Sequence, residues 1–126
     1  VSTPILTQSF TAGGAIGANR IVAPHGSNAG QVVQSNASGA LFGVCTQPAG
    51  AASGERVDVQ LMGVARVSAG GTIAFGAAVT ADANGQAVAA APAQGANARV
   101  LGFALEAAAS GDLFNVLLAP HTMQGA

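Results

Sequence analysis

Few side chains in this sequence are equipped for chemistry: His25, His121, Cys45 and the carboxylates Glu55, Asp58, Asp82, Glu106 and Asp112. A metal site or a hydrolytic triad needs several such groups at spacings that let the fold converge them on one point. The histidines stand in a predicted loop and in the C-terminal tail, and neither belongs to a His-Glu-x-x-His arrangement. The stretches "GAASGE" and "HGSNAG" carry the letters of a nucleophile elbow without its Gly-x-Ser-x-Gly spacing. "DANG" at Asp82–Gly85 imitates the opening of a calcium loop but lacks the later ligands and the bidentate glutamate, and reads as a hairpin turn. Glu55 and Asp112 each follow a Ser-Gly turn, one in each half of the chain, so nothing pairs them for acid–base work. One cysteine forms no intramolecular disulfide and no thiolate cluster, and its apolar neighbours mark Cys45 as a small buried thiol. The glycines near Gly13 and Gly70 lack the Lys-Ser/Thr of a phosphate loop, and read as turn glycines. These residues predict no catalytic residues, no metal and no cofactor.

Composition narrows the classes further. Four arginines, no lysine and five acids make 7% of the chain charged, against about 25% in ordinary soluble domains. Scattered arginines give no basic stripe for phosphates, so no nucleic-acid partner is expected. Runs such as "VLGFAL" fall far short of the ~18 apolar residues of a membrane helix, and no membrane partner is expected. "VSTPILTQSF" lacks the charged start and apolar core of a signal peptide and reads as a mature end made in a cytoplasm; the "NAS" sequon at Asn36–Ser38 is then without consequence. Thirty alanines dilute the apolar half of the composition. A nearly neutral, lysine-free surface suits a protein packed against copies of itself or a partner.

The chain also repeats itself. "AGGAIGANRIVAPHGSNAGQVV" from Ala12 matches "AGGTIAFGAAVTADANGQAVA" from Ala69, "ALFGVCTQ" from Ala40 matches "RVLGFALE" from Arg99, and "SGERVDVQL" from Ser53 matches "SGDLFNVLL" from Ser110. The expected organisation is an extended N-terminal arm over residues 1–11, one domain over 12–120 made of pseudo-repeats 12–68 and 69–120, and a tail over 121–126. Short runs of Val, Ile, Leu and Phe separated by Gly, Asn, Ser and Pro predict strands at Arg20–Ala23, Gln31–Gln34, Leu41–Thr46, Arg56–Leu61 and Val64–Val67. In the second half they predict strands at Ala77–Thr80, Gln86–Ala89, Val100–Leu105 and Leu113–Ala119, with a helical turn competing only at Leu105–Ala109. The fold class is all-β: a compact small β-barrel or sandwich of two internally repeated halves, with little or no helix.

The last pair of strands differs on one side. In "RVDVQL", Val57, Val59 and Leu61 alternate with Arg56, Asp58 and Gln60, as in a strand with one wet face. Its counterpart keeps Phe114, Val116 and Leu118 inside but places Leu113, Asn115 and Leu117 outside. Either that face lies under another part of the chain, or Leu113 and Leu117 meet a neighbouring subunit.

The pieces "GERVDVQLMGVARVSAGG", "GAAVTADANGQAV" and "ALEAAASGDLFNVLLAP", within a pattern running from about Gln8 to Pro120, resemble the capsid cement, or head decoration, proteins of tailed bacteriophages. The near absence of charge is a departure from that family. The resemblance implies a non-enzymatic virion protein, made in the bacterial host cytoplasm, that binds the outer surface of the expanded, DNA-filled head. It further implies the major capsid protein as partner, which it would bridge, and a homotrimer rather than a homodimer. In the arm, Ser2, Thr3, Pro4, Ile5 and Leu6 are candidates for the capsid contact, because an extended apolar segment can add a strand to an edge of the shell protein or of a neighbouring subunit; the alternative is an arm that folds back on its own body. A receptor- or glycan-binding virion module is the alternative, disfavoured because the chain has neither Trp nor Tyr.

Overall fold

The segment Arg56–Ser68 sets the frame. Val57, Val59, Ala65 and Val67 are buried, while Arg56, Met62 and Arg66 on the other side are exposed. That period of two is the pleat of a strand with one face on a core. In the computed structural model, which describes residues 3–36, 41 and 43–125, this segment is β5 of nine strands. Before it come β1 (Thr3–Ala12), β2 (Ile21–Pro24), β3 (Gln31–Gln34) and β4 (Gly43–Cys45). After it come β6 (Ala78–Ala81), β7 (Ala87–Ala89), β8 (Asn97–Ala104) and β9 (Leu113–Gln124). The fold is all-β, with no helix among the described residues.

The strands run in the order β1-β3-β2-β4-β5-β9-β8-β6-β7, and a further β1–β5 pairing closes the first five into a ring. The second ring begins with the C-terminal part of β5 and passes through β9, β8, β6 and β7. It returns through a parallel bridge between Ala69 and Ala87. Strand β5 therefore belongs to both rings. Its first half closes one unit and its second half opens the next.

The repeat in the sequence is a repeat in register. Phe10 opposite Val57 in the first unit becomes Val67 opposite Phe114 in the second, each residue fifty-seven positions on. Likewise Ala12 opposite Val32 becomes Ala69 opposite Ala87, the latter two positions short of that offset, and the bridge Ile16–Ala51 becomes Ile73–Ala108. The cores follow. Ala12, Ile16, Val22, Val32, Cys45 and Val59 form the first. Their counterparts Ala69, Ile73, Val79, Ala87, Ala104 and Val116 lie in the second. The Phe–Val pair is kept with its members exchanged, so each core receives one aromatic side chain at that layer.

Backbone demands are duplicated as well. Asn19 adopts φ 58° and its counterpart Gly76 φ 84°. Glycine reaches this left-handed region without cost, and asparagine is among the few other residues that tolerate it. Gly43 and Gly102 mark a close strand approach. A Cβ on Gly43 would stand 2.5 Å from Val59 Cγ1 and 2.8 Å from Gln60 O, and one on Gly102 would collide with Leu117 O.

Several expectations need correction. Residues 3–11 are not an arm outside the repeat: they lie in β1, whose Thr7–Thr11 is the counterpart of Val64–Ser68 and pairs along β5. The predicted strands Arg56–Leu61 and Val64–Val67 are one continuous strand, because Met62 and Gly63 pair with Leu6 and Pro4 and keep the ladder going. The tail from His121 to Gln124 continues β9 against Asn97–Val100 of β8. Leu105–Ala109 forms no helical turn, since Ala108 is held by paired hydrogen bonds to Ile73. Of Leu41–Thr46 only Gly43–Cys45 is strand, and Phe42 lies outside the described residues, as do Ala37 and Ser38 of the sequon.

Candidate assembly surface

The residues with chemical potential are spent on local structure. Asp82 Oδ1 accepts hydrogen bonds from Asn84 N (2.8 Å) and Gln86 N (3.0 Å), tying the β6–β7 turn. Glu55 Oε1 accepts from Ala52 N at 2.7 Å, and Asp112 Oδ2 from Ala109 N at 2.9 Å, the same turn clasped twice. His25 Nδ1 accepts from the amides of Ser27 and Asn28, both at 3.1 Å. His121, expected in a loose tail, lies in β9, stacks on Phe103 with ring centroids 5.4 Å apart, and donates from Nδ1 to Ala119 O. Cys45 is buried in the first core, and that burial pushes its thiol up from the ordinary value. Among the described residues no three His, Cys, Asp or Glu side chains gather as metal ligands would.

What remains is surface. Cross-strand pairing places Val64, Leu117 and Phe103 in one row across β5, β9 and β8. Leu117 is 42% exposed and Phe103 38%. Leu113, opposite Ser68, and Leu105, whose amide donates to Asn115 O at 2.9 Å, extend the exposed apolar area. Asn115 stands between the two leucines. Its amide donates to Glu106 Oε2 at 3.0 Å, while its own Oδ1 is shielded and accepts no hydrogen bond. Phe75, at the bend before Gly76, is 74% exposed.

The sequence offered two fates for Leu113 and Leu117. Among the described residues both stay partly exposed, Leu113 at 45% and Leu117 at 42%. The wet face expected for β5 holds only in part. Arg56 is exposed and pairs at 3.2 Å with the half-buried Asp58, joined by Ser9, whose Oγ donates to Asp58 and accepts from Arg56 Nε. Gln60 is buried instead: its Nε2 donates to Met62 O (3.1 Å) and Val64 O (2.9 Å), and its Oε1 is left without a partner. The reason is that Ile21, Leu41 and Val44 from the first unit join the core of the second, which buries the outer row to which Gln60 belongs. Sequence reasoning missed Phe75, Phe103 and Leu105. The one available signal was that Phe75 and Phe103 replace Ala18 and Val44 of the first repeat.

A second surface is the edge of β1. Beyond β5 on one side, β1 pairs with β3 only through Thr11 and Ala12. Pro4–Ser9 therefore presents an open edge whose residues are all exposed. Ile5 is 74% exposed and Leu6 44%, next to Met62 at 50%. Edges are usually blunted by charge; here Pro4 and register irregularities beside Leu6 are the only such devices, and the segment carries no charged residue. Of the predicted capsid-contact residues, Pro4, Ile5 and Leu6 lie on this edge and Thr3 pairs with Val64, while Ser2 lies outside the described residues.

The fold is thus a two-unit β body with an open strand edge and a partly exposed apolar face among the described residues. The phage cement protein family model matches residues 3–119. The chain belongs to that family and is a structural, capsid-associated protein of a bacteriophage virion. The resemblance read from its repeat phrases holds. A solved structure of similar fold is the head fiber gp8.5 N base of bacteriophage phi29, with a TM-score of 0.70 over 90% of this chain and 93% of that one, at 20% identity. No curated protein matches.

Proposed function

We infer that the protein attaches to the outer surface of the expanded head, bridges neighbouring major capsid protein subunits, and so helps the shell resist the pressure of packaged DNA. The observation that carries this reading, beyond family membership, is the open, uncharged edge of β1 around Ile5 and Leu6. A strand of the shell protein laid along Pro4–Ser9 would satisfy its exposed backbone groups, while Ile5 and Leu6 would add apolar contacts. Self-association, as a homotrimer rather than a homodimer, would use the face of Leu113 and Leu117. An oligomer that engages several capsid sites at once turns weak contacts into stable attachment. The fold's occurrence in the base of a phage head fiber fits a role in holding to the head.

The test is co-sedimentation with DNA-filled heads. The wild-type chain should sediment with heads in a ratio near one to the major capsid protein. Ile5→Asp, a change at an exposed position, should keep the melting temperature and lose most of the bound protein. Wild-type protein absent from heads would remove the cement reading, and undiminished binding by Ile5→Asp would remove the β1 edge as the contact.

A further inference from the structure

The internal contact between the two units has two sides, and each side has an unused twin. On the first unit the contact consists of Ile21, Val44 and Gln60, which are 0%, 0% and 1% exposed. By register their counterparts on the second unit are Ala78, Phe103 and Leu117, half-buried or exposed. On the second unit Ser68 and Gly85 bond to Asn19 and Ile21, and Ala65 shares a core cluster with Ile21 and Val44; all three are buried. Their counterparts on the first unit are Gln8, Thr11 and Gly30, all exposed. The chain thus carries one satisfied contact and, at opposite ends, both halves of a second.

Polar details agree. Asn19–Ile21 enters the second unit as an extra strand-like segment: Ser68 N donates to Asn19 O at 3.0 Å, and Ile21 N donates to Gly85 O at 2.8 Å. Asn19 Nδ2 and Arg20 add bonds to Arg66 O and Asn84 O. The matching segment Gly76–Ala78 has the same left-handed entry, φ 84° at Gly76, and Phe75 beside it has no cover. In the first unit, Thr11 N donates instead directly to Gly30 O at 3.0 Å, beside the Thr11–Gln31 pairing of β1 with β3, and this bond closes the place that such a segment takes in the second unit. Docking in the internal manner exchanges this one bond for two.

We propose that copies of this chain join head to tail: the Phe75–Phe103–Leu117 face of one docks on the Gln8–Thr11–Gly30 end of the next, repeating between chains the contact that holds the two units together within one. The proposal builds on the reading of the chain as a homo-oligomer and adds which surfaces meet. The occupant is a second copy because the folded chain already shows what covers the equivalent surface: another unit of the same kind. Such a contact is heterologous, so it closes into a ring or extends as a filament.

The test uses two variants, Leu117→Arg on one side and Thr11→Arg on the other, in sedimentation velocity, with circular dichroism and melting to confirm folding. Wild type should sediment as a multimer and each variant alone as a monomer. An equimolar mixture should form a one-to-one heterodimer, since each variant keeps the side the other has lost. Phe103→Glu replaces Leu117→Arg if the latter fails to fold. A monomeric wild type, a multimer surviving either substitution, or a mixture that stays monomeric overturns the proposal. Head co-sedimentation of the same wild-type protein scores the cement reading separately, so failure of one is distinguishable from failure of the other.

Discussion

The first and second units share a hydrogen-bond register almost residue for residue, yet the same outer row has opposite fates. Ile21, Val44 and Gln60 are sealed in the interior, whereas Ala78, Phe103 and Leu117 face outward. Position in the tandem decides this: the first unit has a neighbour on that side, and the second has none among the described residues. The usual polarity rule is inverted at one position: the polar Gln60 is inside and the apolar Leu117 outside. Burying a valine or isoleucine side chain stabilises by about 1.5–3 kcal/mol, so Ile21 and Val44 alone bind the units firmly. The corresponding side chains on the second unit, Phe103 and Leu117, stay partly exposed.

The sharpest way to break this comparison is a charge at equivalent positions. Val44→Asp places an unpaired carboxylate in the joint core, at a cost of several kcal/mol against a total stability of about 5–15 kcal/mol. It should abolish cooperative unfolding in urea. Phe103→Asp should shift the midpoint by less than about 1 kcal/mol, and equal effects of the two would show that the faces do not differ as described.

A smaller effect separates Asn19 from Gly76. Alanine at either position pays for the left-handed backbone, about 1–2 kcal/mol. Asn19→Ala also loses the 3.1 Å bond to Arg66 O, about 0.5–1.5 kcal/mol more. Thermal melts should therefore rank Asn19→Ala below Gly76→Ala, and the reverse order would mean that the inter-unit bond contributes nothing.

The smallest effect tests sameness. Glu55→Ala and Asp112→Ala each remove one exposed side-chain-to-amide bond in equivalent turns, worth about 0.5–1.5 kcal/mol. Their unfolding midpoints should drop equally within error. A clear inequality would argue that one turn supports the oligomer or the shared strand as well.

Much of this was legible beforehand. The repeat, the all-β class and the turn at Asp82–Gly85 followed from spacing, because alternation and turn chemistry are local properties. The start of the first unit was not. Its opening strand shares only the "TAGG"/"SAGG" ending with its counterpart in β5, and Pro4 with the first residues suggested an extended arm preceding the repeat. The length of β5 was hidden for a related reason: Gly63 reads as a break, yet the chain continues because β1 and β9 pair with it from either side.

The sequence by itself determined the two units, their cores and their turns, since each depends on residues whose pattern repeats along the chain. Which outer face would be covered was decided only by tertiary structure. Leu117 is no less apolar than Val44, and Gln60 no less polar than its exposed neighbours; a strand's pattern states what a face prefers. Burial depends on whether another unit reaches that face, and this is fixed by how the shared β5 sets one ring against the other.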